Sequence, residues 1–376
     1  MSEVVRGLTV RSHVAQQQNW LMTVRLKPIK EQVIVITGAS SGIGLVTARM
    51  AAKRGARVML TARNHDALKQ LSDEIVANES NGGMAAFLAA DVADEAALRR
   101  VADEAVSRFG RIDTWVNGAG VSVYGRLTDV SLEDQRRVFE TNFWGVVIGS
   151  RIAIPHLRTG GALINIGSVL SDRAVPLQGV YCATKHAVKG FTDSLRMELE
   201  HDDLPIAVTL IKPYSIDTPY PEHAKNYLPT EPTLPFPVYA PEVVAETILH
   251  CAEHPTRDVY AGGGAKIMAA MGGLAPRLTD RLMESLIDMQ LTDRPEDDRT
   301  NNSLYGPTTG LKERGGRAAY VAESSLYTQV SLHPLLTGAA LAATGLTLAS
   351  WLFRRTSAAK YEPTGHHWYE ADRAKH

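Results

Sequence analysis

Short apolar runs alternate with longer amphipathic stretches over the first two thirds of the chain. Val33-Ile34-Val35-Ile36-Thr37 is β-branched and apolar on both faces, the pattern of a strand covered on both sides as parallel sheets require. Leu45 to Ala52 continues with helical character. Further strands are predicted at Arg57 to Thr61, at a run ending in Ala89-Ala90-Asp91-Val92, at one ending in Trp115-Val116-Asn117, at Gly161 to Ile166, at Ile206 to Ile211 and near Val259-Tyr260. Helices are predicted from about Gln178 to Glu200 and from about Pro241 to Ala252. Strand and helix alternating at this spacing imply an α/β fold, a doubly wound parallel sheet of about seven strands flanked by helices.

This pattern occupies residues 30–265. Residues 1–29 are polar, unpatterned and without the apolar core of a secretory signal, which suggests a leader segment. Pro213 to Pro241 carries eight of the 18 prolines and reads as a stiff loop punctuated by Tyr214, Tyr220, Tyr227, Phe236 and Tyr239. Residues 266–330 form a helical and linker extension. Within it, Met268 to Met289 has helical spacing, and Arg294 to Gly316 is polar and reads as a linker. Residues 331–376 hold an apolar stretch and a polar tail. Ser131-Leu132-Glu133-Asp134 resembles a capping box, with Asp in the place of Glu or Gln.

The chain has 376 residues, with 40 basic and 41 acidic side chains, a balance that gives no footprint for nucleic acid. Its two cysteines, Cys182 and Cys251, are far apart and form no metal or redox motif, as suits a reducing compartment. Cys182 reads as packed helix filler. The histidines are scattered, His186 is expected to face away from its helical neighbour Lys185, and no metal is assigned.

Two motifs carry the chemistry. Thr37-Gly38-Ala39-Ser40-Ser41-Gly42-Ile43-Gly44 lies between a strand and a helix, where backbone N–H groups and a helix N-terminus can meet a diphosphate. Tyr181 and Lys185 are four residues apart and share a helix face. Ser168, thirteen residues before the tyrosine, ends the fifth strand. A free phenol titrates near 10, and a neighbouring ammonium stabilises the phenolate. Lys185 is thus expected to lower the Tyr181 pKa and make it a usable proton donor and acceptor. Ser168 can donate to a developing oxyanion.

In its Gly-x-x-x-Gly-x-Gly loop and its Tyr-x-x-x-Lys pair the chain resembles the classical short-chain dehydrogenase/reductase family, over about residues 30–265. The resemblance implies a Rossmann-type fold and hydride transfer between a nicotinamide and a carbonyl or secondary alcohol. Catalytic roles then fall on Asn142, Ser168, Tyr181 and Lys185, with Thr141-Asn142-Phe143-Trp144-Gly145 matching the asparagine element that holds a relay water. Cofactor contacts fall on Gly38, Ser40, Ser41, Gly42, Ile43 and Gly44, on Asp91 and Val92 by the adenine, and on Asn117, Ala119 and Gly120. Tyr181, Lys185, Pro213, Ile216 and Thr218 are implied at the nicotinamide end.

Two departures stand out. Gly118 replaces the family's second Asn, which removes one hydrogen-bonding side chain. Tyr214 replaces a Gly, and a tyrosine does not take positive φ cheaply, so a different turn is expected there. The second strand ends without Asp or Glu but with Arg63, which suits a 2′-phosphate. NADP(H) is therefore the expected cofactor, with NAD the alternative. The resemblance also implies a homo-oligomer.

Leu335 to Phe353 runs 19 residues without a charge and is followed by Arg354-Arg355. As a helix it would reach roughly 28 Å, near the thickness of a bilayer core. The trailing arginines would place the preceding domain across the membrane from them, away from a cytoplasmic cofactor. A peripheral or protein-packed helix avoids that conflict, with the catalytic domain cytoplasmic. Three functions are weighed: a carbonyl reductase or alcohol dehydrogenase, a membrane-associated dehydrogenase of lipid- or steroid-like substrates, and a catalytically silent NADP-binding sensor or scaffold.

Overall fold

The computed structural model describes residues 24–78, 84–264, 275–295, 302–333 and Thr337. Seven parallel strands form the central sheet: β1 (Val33–Thr37), β2 (Arg57–Ala62), β3 (Met84–Ala89), β4 (Thr114–Asn117), β5 (Gly161–Ile166), β6 (Ile206–Pro213) and β7 (Asp258–Ala261). Their spatial order is β7-β6-β5-β4-β1-β2-β3. The register sets Val35 opposite Met59 on one side and Trp115 on the other. All five residues of β1 are buried, as its continuous apolar run requires.

The period of two sends alternate side chains to opposite faces. Ile34 and Ile36 join one core with α1 (Gly42–Lys53), α2 (His65–Ala77) and, further along the chain, the helix Pro241–Glu253. Val33 and Val35 join the other with α3 (Glu95–Phe109), the helix Gly145–Leu157 and the helix Gly179–His201. Helices thus cover both faces, and the order in which strands are added reverses between β1 and β4. Ligands of such sheets bind outside the carboxyl ends of the strands at that reversal.

Ser131 caps the helix Leu132–Phe139, accepting from Asp134 N. Asp134 does not act as the reciprocal partner of a capping box. Its carboxylate is taken by Lys225 and by the hydroxyls of Tyr227 and Tyr305, which holds it below the usual carboxylate range despite its burial.

The expected linker is not one. From Asn302 to Arg317 the chain packs on the main domain, and Leu304 is fully buried among Val121, Val123, Val138 and Val180. Beyond it, Val321–Ala322 pairs in parallel with Val238–Tyr239, and Leu291–Pro295 pairs antiparallel with Thr230–Pro232. The extension and the proline-rich loop therefore share hydrogen bonds, which explains why that loop holds a fixed course. Among the described residues no helix is long and apolar enough to cross a membrane. The stretch 335–353, Thr337 apart, and the leader 1–23 lie outside the described residues.

Candidate active site

The glycine loop follows β1 directly. Gly38 and Gly42 have φ of 75° and 51°, a region that costs a side chain energy. A Cβ on Gly44 would stand 2.2 Å from the Gly38 carbonyl oxygen, so loop and helix can close together only over a glycine. Gly118 has the same explanation: a Cβ there would meet the Thr37 carbonyl oxygen at 2.8 Å. Its departure from the family pattern leaves no slack, because Thr37 Oγ1 accepts from both Gly118 N and Ala119 N. The Ser41 side chain does not cap α1, so the helix N-terminus faces the cleft without it.

The cleft above this loop is lined by Gly38, Ser40, Ser41, Gly42, Ile43, Gly44, Arg63, Asp91, Val92, Ala119, Gly120 and Thr218. At its far end Asp91 accepts from Ala93 N and pairs with Arg137, and those partners hold its carboxyl below the usual range against the effect of burial. Arg63 lines the same end and donates to the carbonyls of Ser303 and Leu304.

A second cavity abuts the first and shares Ile43, Gly118, Gly120, Thr218 and Tyr220 with it. Ser168, Tyr181, Lys185, Pro213 and Ile216 line it. Ser168 leaves β5 as the cap of a single helical turn, with Oγ accepting from Leu170 N at 3.1 Å. Tyr181 and Lys185 project from one face of the helix Gly179–His201. Burial raises the Tyr181 pKa, and hydrogen bonds with Ser168 and Tyr220 oppose the rise. Burial lowers the Lys185 pKa to about 8. Lys185 Nζ donates to the Ile166 carbonyl at 2.8 Å and lies 5.5 Å from the centre of the Tyr181 ring. The expected acidification of Tyr181 by Lys185 is therefore not what governs these residues: desolvation dominates both.

Asn142 sits in a π-helical segment, Glu140–Trp144, a distortion that often marks functional positions. Its side chain accepts from Val121 N and donates to Val121 O and Thr184 Oγ1, which ties the loop after β4 to the helix carrying Tyr181. Asn117 is buried in a network with Trp115, Ser150 and Asn165 and reaches neither cavity. Its expected contact with a cofactor is thus replaced by bracing of β4 against β5.

Much of the remaining wall of the second cavity is apolar, with Val169, Leu170, Val175, Tyr214, Leu234 and Pro235, and Tyr124, Gln178, Ser215 and Gln290 add polar groups to it. Of the five loop aromatics only Tyr214 and Tyr220 belong to it; Tyr227 holds Asp134, Tyr239 accepts from Gly263 N, and Phe236 faces solvent. Tyr214 does not take positive φ; its Cβ lies against Gly262 and its ring against Gly264. The residues missed in the sequence are Tyr124, Gln178 and Gln290 at the cavity wall. Tyr220 bonds with Ser122 and Gln178, Gln178 donates to Gln290 of the extension at 2.9 Å, and the buried Tyr124 hydroxyl has no hydrogen-bond partner among the described residues. Alternation around Val123-Tyr124 and the single turn at Tyr220 left no local signal for them. Cys182 packs behind Tyr181 against Val175, its thiol pushed up to about 11 by burial. His186 turns back to the Cys182 carbonyl.

The short-chain dehydrogenase family model matches residues 32–227. An uncharacterized oxidoreductase of Bacillus subtilis, YxnA, is 48% identical over 89% of this chain and 95% of its own. The 11-beta-hydroxysteroid dehydrogenase A of Sesamum indicum is 35% identical over 50% of this chain and 56% of its own. Among solved structures, an alcohol dehydrogenase of the archaeon Thermococcus sibiricus, complexed with 5-hydroxy-NADP, is similar at a TM-score of 0.54 and 26% identity, covering 61% of this chain and 95% of that one. With this fold, this cleft and these relatives, the chain belongs to the short-chain dehydrogenase/reductase family, whose members use NAD(P) to oxidise CH–OH groups or reduce C=O groups.

Proposed function

We propose that the protein reduces an apolar carbonyl compound, or oxidises the matching alcohol, with NADP(H), and that Tyr181 exchanges the proton. The observation that carries this reading is the common cavity: Ser168, Tyr181 and Lys185 line one apolar pocket that opens onto the glycine-loop cleft. The nicotinamide, when bound, supplies or takes up the hydride. In reduction the Tyr181 hydroxyl gives its proton to the carbonyl oxygen, and Ser168 donates a hydrogen bond to that oxygen as charge gathers on it. Lys185, still mostly protonated at neutral pH, stabilises the phenolate left behind. Asn142 keeps the loop after β4 against the Tyr181 helix, as a positioning residue.

The tight packing at Gly38 and Gly44 draws the loop onto the helix N-terminus, beside which a dinucleotide diphosphate would lie. Ser40, Ser41, Gly42, Ile43, Asp91, Val92, Ala119 and Gly120 would hold its adenosine and diphosphate, and Pro213, Ile216 and Thr218 its nicotinamide end. Arg63 is the reason to favour NADP(H): it is the cation at the adenosine end, and two backbone carbonyls orient its guanidinium there. The neighbour bound to an NADP analogue points the same way. Arg63→Ala is expected to raise KM for NADPH about tenfold more than KM for NADH, the effect of losing one charge-assisted phosphate contact. Equal changes for both cofactors would remove the ground for NADP.

An apolar wall with one orphan phenol at Tyr124 suits a lipophilic ketone or aldehyde with a second polar group. The name of the sesame relative supports that class of substrate. The test is NADPH and NADH consumption across ketones and aldehydes of graded hydrophobicity. Binding of NADPH without turnover on any of them would instead favour the sensor reading.

A further inference from the structure

Residues 302–317 lie beyond the stretch 32–227 that the family model matches, and they run across the mouth of the glycine-loop cleft. They touch both banks. On the bank of β1 and β2, Arg63 donates to the Ser303 and Leu304 carbonyls, Asn64 Nδ2 donates to Thr308 O at 2.8 Å, and Leu311 N donates to Ser40 O at 2.7 Å. Gly42 N, the first amide of α1, donates to Lys312 O at 2.9 Å. On the bank formed after β6, Ser303 N donates to His223 O, Gly316 N donates to Asp217 Oδ1 at 3.0 Å, and Lys312 pairs with Glu222. Leu304 anchors the near end in a buried apolar cluster. Ser303, Pro307 and Thr308 themselves line the cleft.

We propose that this segment is a strap that forms the outer wall of the dinucleotide site and holds the bound cofactor in, so that the cofactor exchanges only when the strap lifts. The proposal rests on the reading of the cleft as a dinucleotide site. A strap joined to both banks and carrying part of the lining must part from one bank before a ligand beneath it can leave. Its strength is therefore read in the dissociation rate, where changes within one complex are mostly found.

Two glycines of the strap that are not themselves in the cleft lining allow it to be loosened. A Cβ on Gly310 would stand 2.2 Å from the Ala67 Cβ, with the next atoms at 3.4 Å, and a Cβ on Gly315 would stand 2.6 Å from the Thr218 carbonyl oxygen. Gly310→Ala and Gly315→Ala thus wedge the strap away from opposite banks. In the full-length protein, NADPH dissociation followed by stopped-flow fluorescence is expected to speed up at least about tenfold in each variant, with Kd raised to match. Ala67→Gly combined with Gly310→Ala removes the clash and is expected to restore the slow rate. Dissociation within about twofold of the wild type in both variants overturns the proposal, as does a lower Kd, which would mean a strap that shuts the cofactor out. A wild-type protein that binds neither NADPH nor NADH refutes the dinucleotide reading itself, a result distinct from wild-type binding that the strap variants leave unchanged.

Discussion

Tyr181→Phe is expected to lower kcat about 10³-fold, within the range found for loss of a positioned general acid or base, while the Kd for NADPH stays within about twofold. The substitution removes one oxygen and keeps the ring, which packs edge-on against Tyr220 with centroids 5.4 Å apart. The pocket shape therefore survives, and the loss is chemical. Tyr220 brings a second phenol to the same place, and burial raises its pKa as it raises that of Tyr181, yet it does not substitute. Its hydroxyl is engaged by Ser122 and Gln178. Steady-state rates with the best carbonyl substrate, beside a fluorescence titration of NADPH, decide the matter. A kcat within tenfold of the wild type would remove Tyr181 from the chemistry.

Lys185→Met should cost activity and add stability at neutral pH, an opposition that a merely structural lysine would not give. The Lys185 pKa falls from 10.5 when unfolded to about 8 in the folded chain, with burial as the cause. The unfolded chain therefore binds the proton more tightly, and folding pays the full difference below about pH 8. That penalty fades as pH rises from about 8 to 10.5, so stability from this group grows with pH across that window. The shift corresponds to about 3 kcal/mol at pH 7. Loss of the hydrogen bond to the Ile166 carbonyl offsets roughly 1 kcal/mol. Urea unfolding should show the variant about 2 kcal/mol more stable at pH 7, with the advantage gone or reversed near pH 10.5. A variant equally destabilised at both pH values would show that burial does not strain this ammonium.

The sheet is legible in the chain because each strand is buried on both faces and so reads as an unbroken apolar run, as Val33 to Thr37 and Ile206 to Ile211 do. Ser168, Tyr181 and Lys185 are legible as a group because strand-end topology and helical spacing bring them together. The protonation balance is not legible, since a spacing of four says that two side chains are close but not that both are buried. Asn117 misleads for a related reason: its place at the end of β4 suggests the cleft, and only the packing of Trp115, Ser150 and Asn165 shows that it turns inward. The segment 302–317 is the largest departure. Leu304, Leu311 and the Glu313–Arg49 pair apart, its anchors toward the glycine loop are backbone N–H and C=O groups, which every residue carries and no composition reveals.

That departure bears on how the protein comes off the ribosome. The glycine loop emerges near the start of the chain, but the residues that cross above it are made more than 250 positions later. Domains tend to fold during synthesis from the N-terminal end. The sheet can thus be complete while the cleft still lacks its outer side, and a nascent chain paused before residue 302 would carry the reactive side chains on an open nucleotide groove.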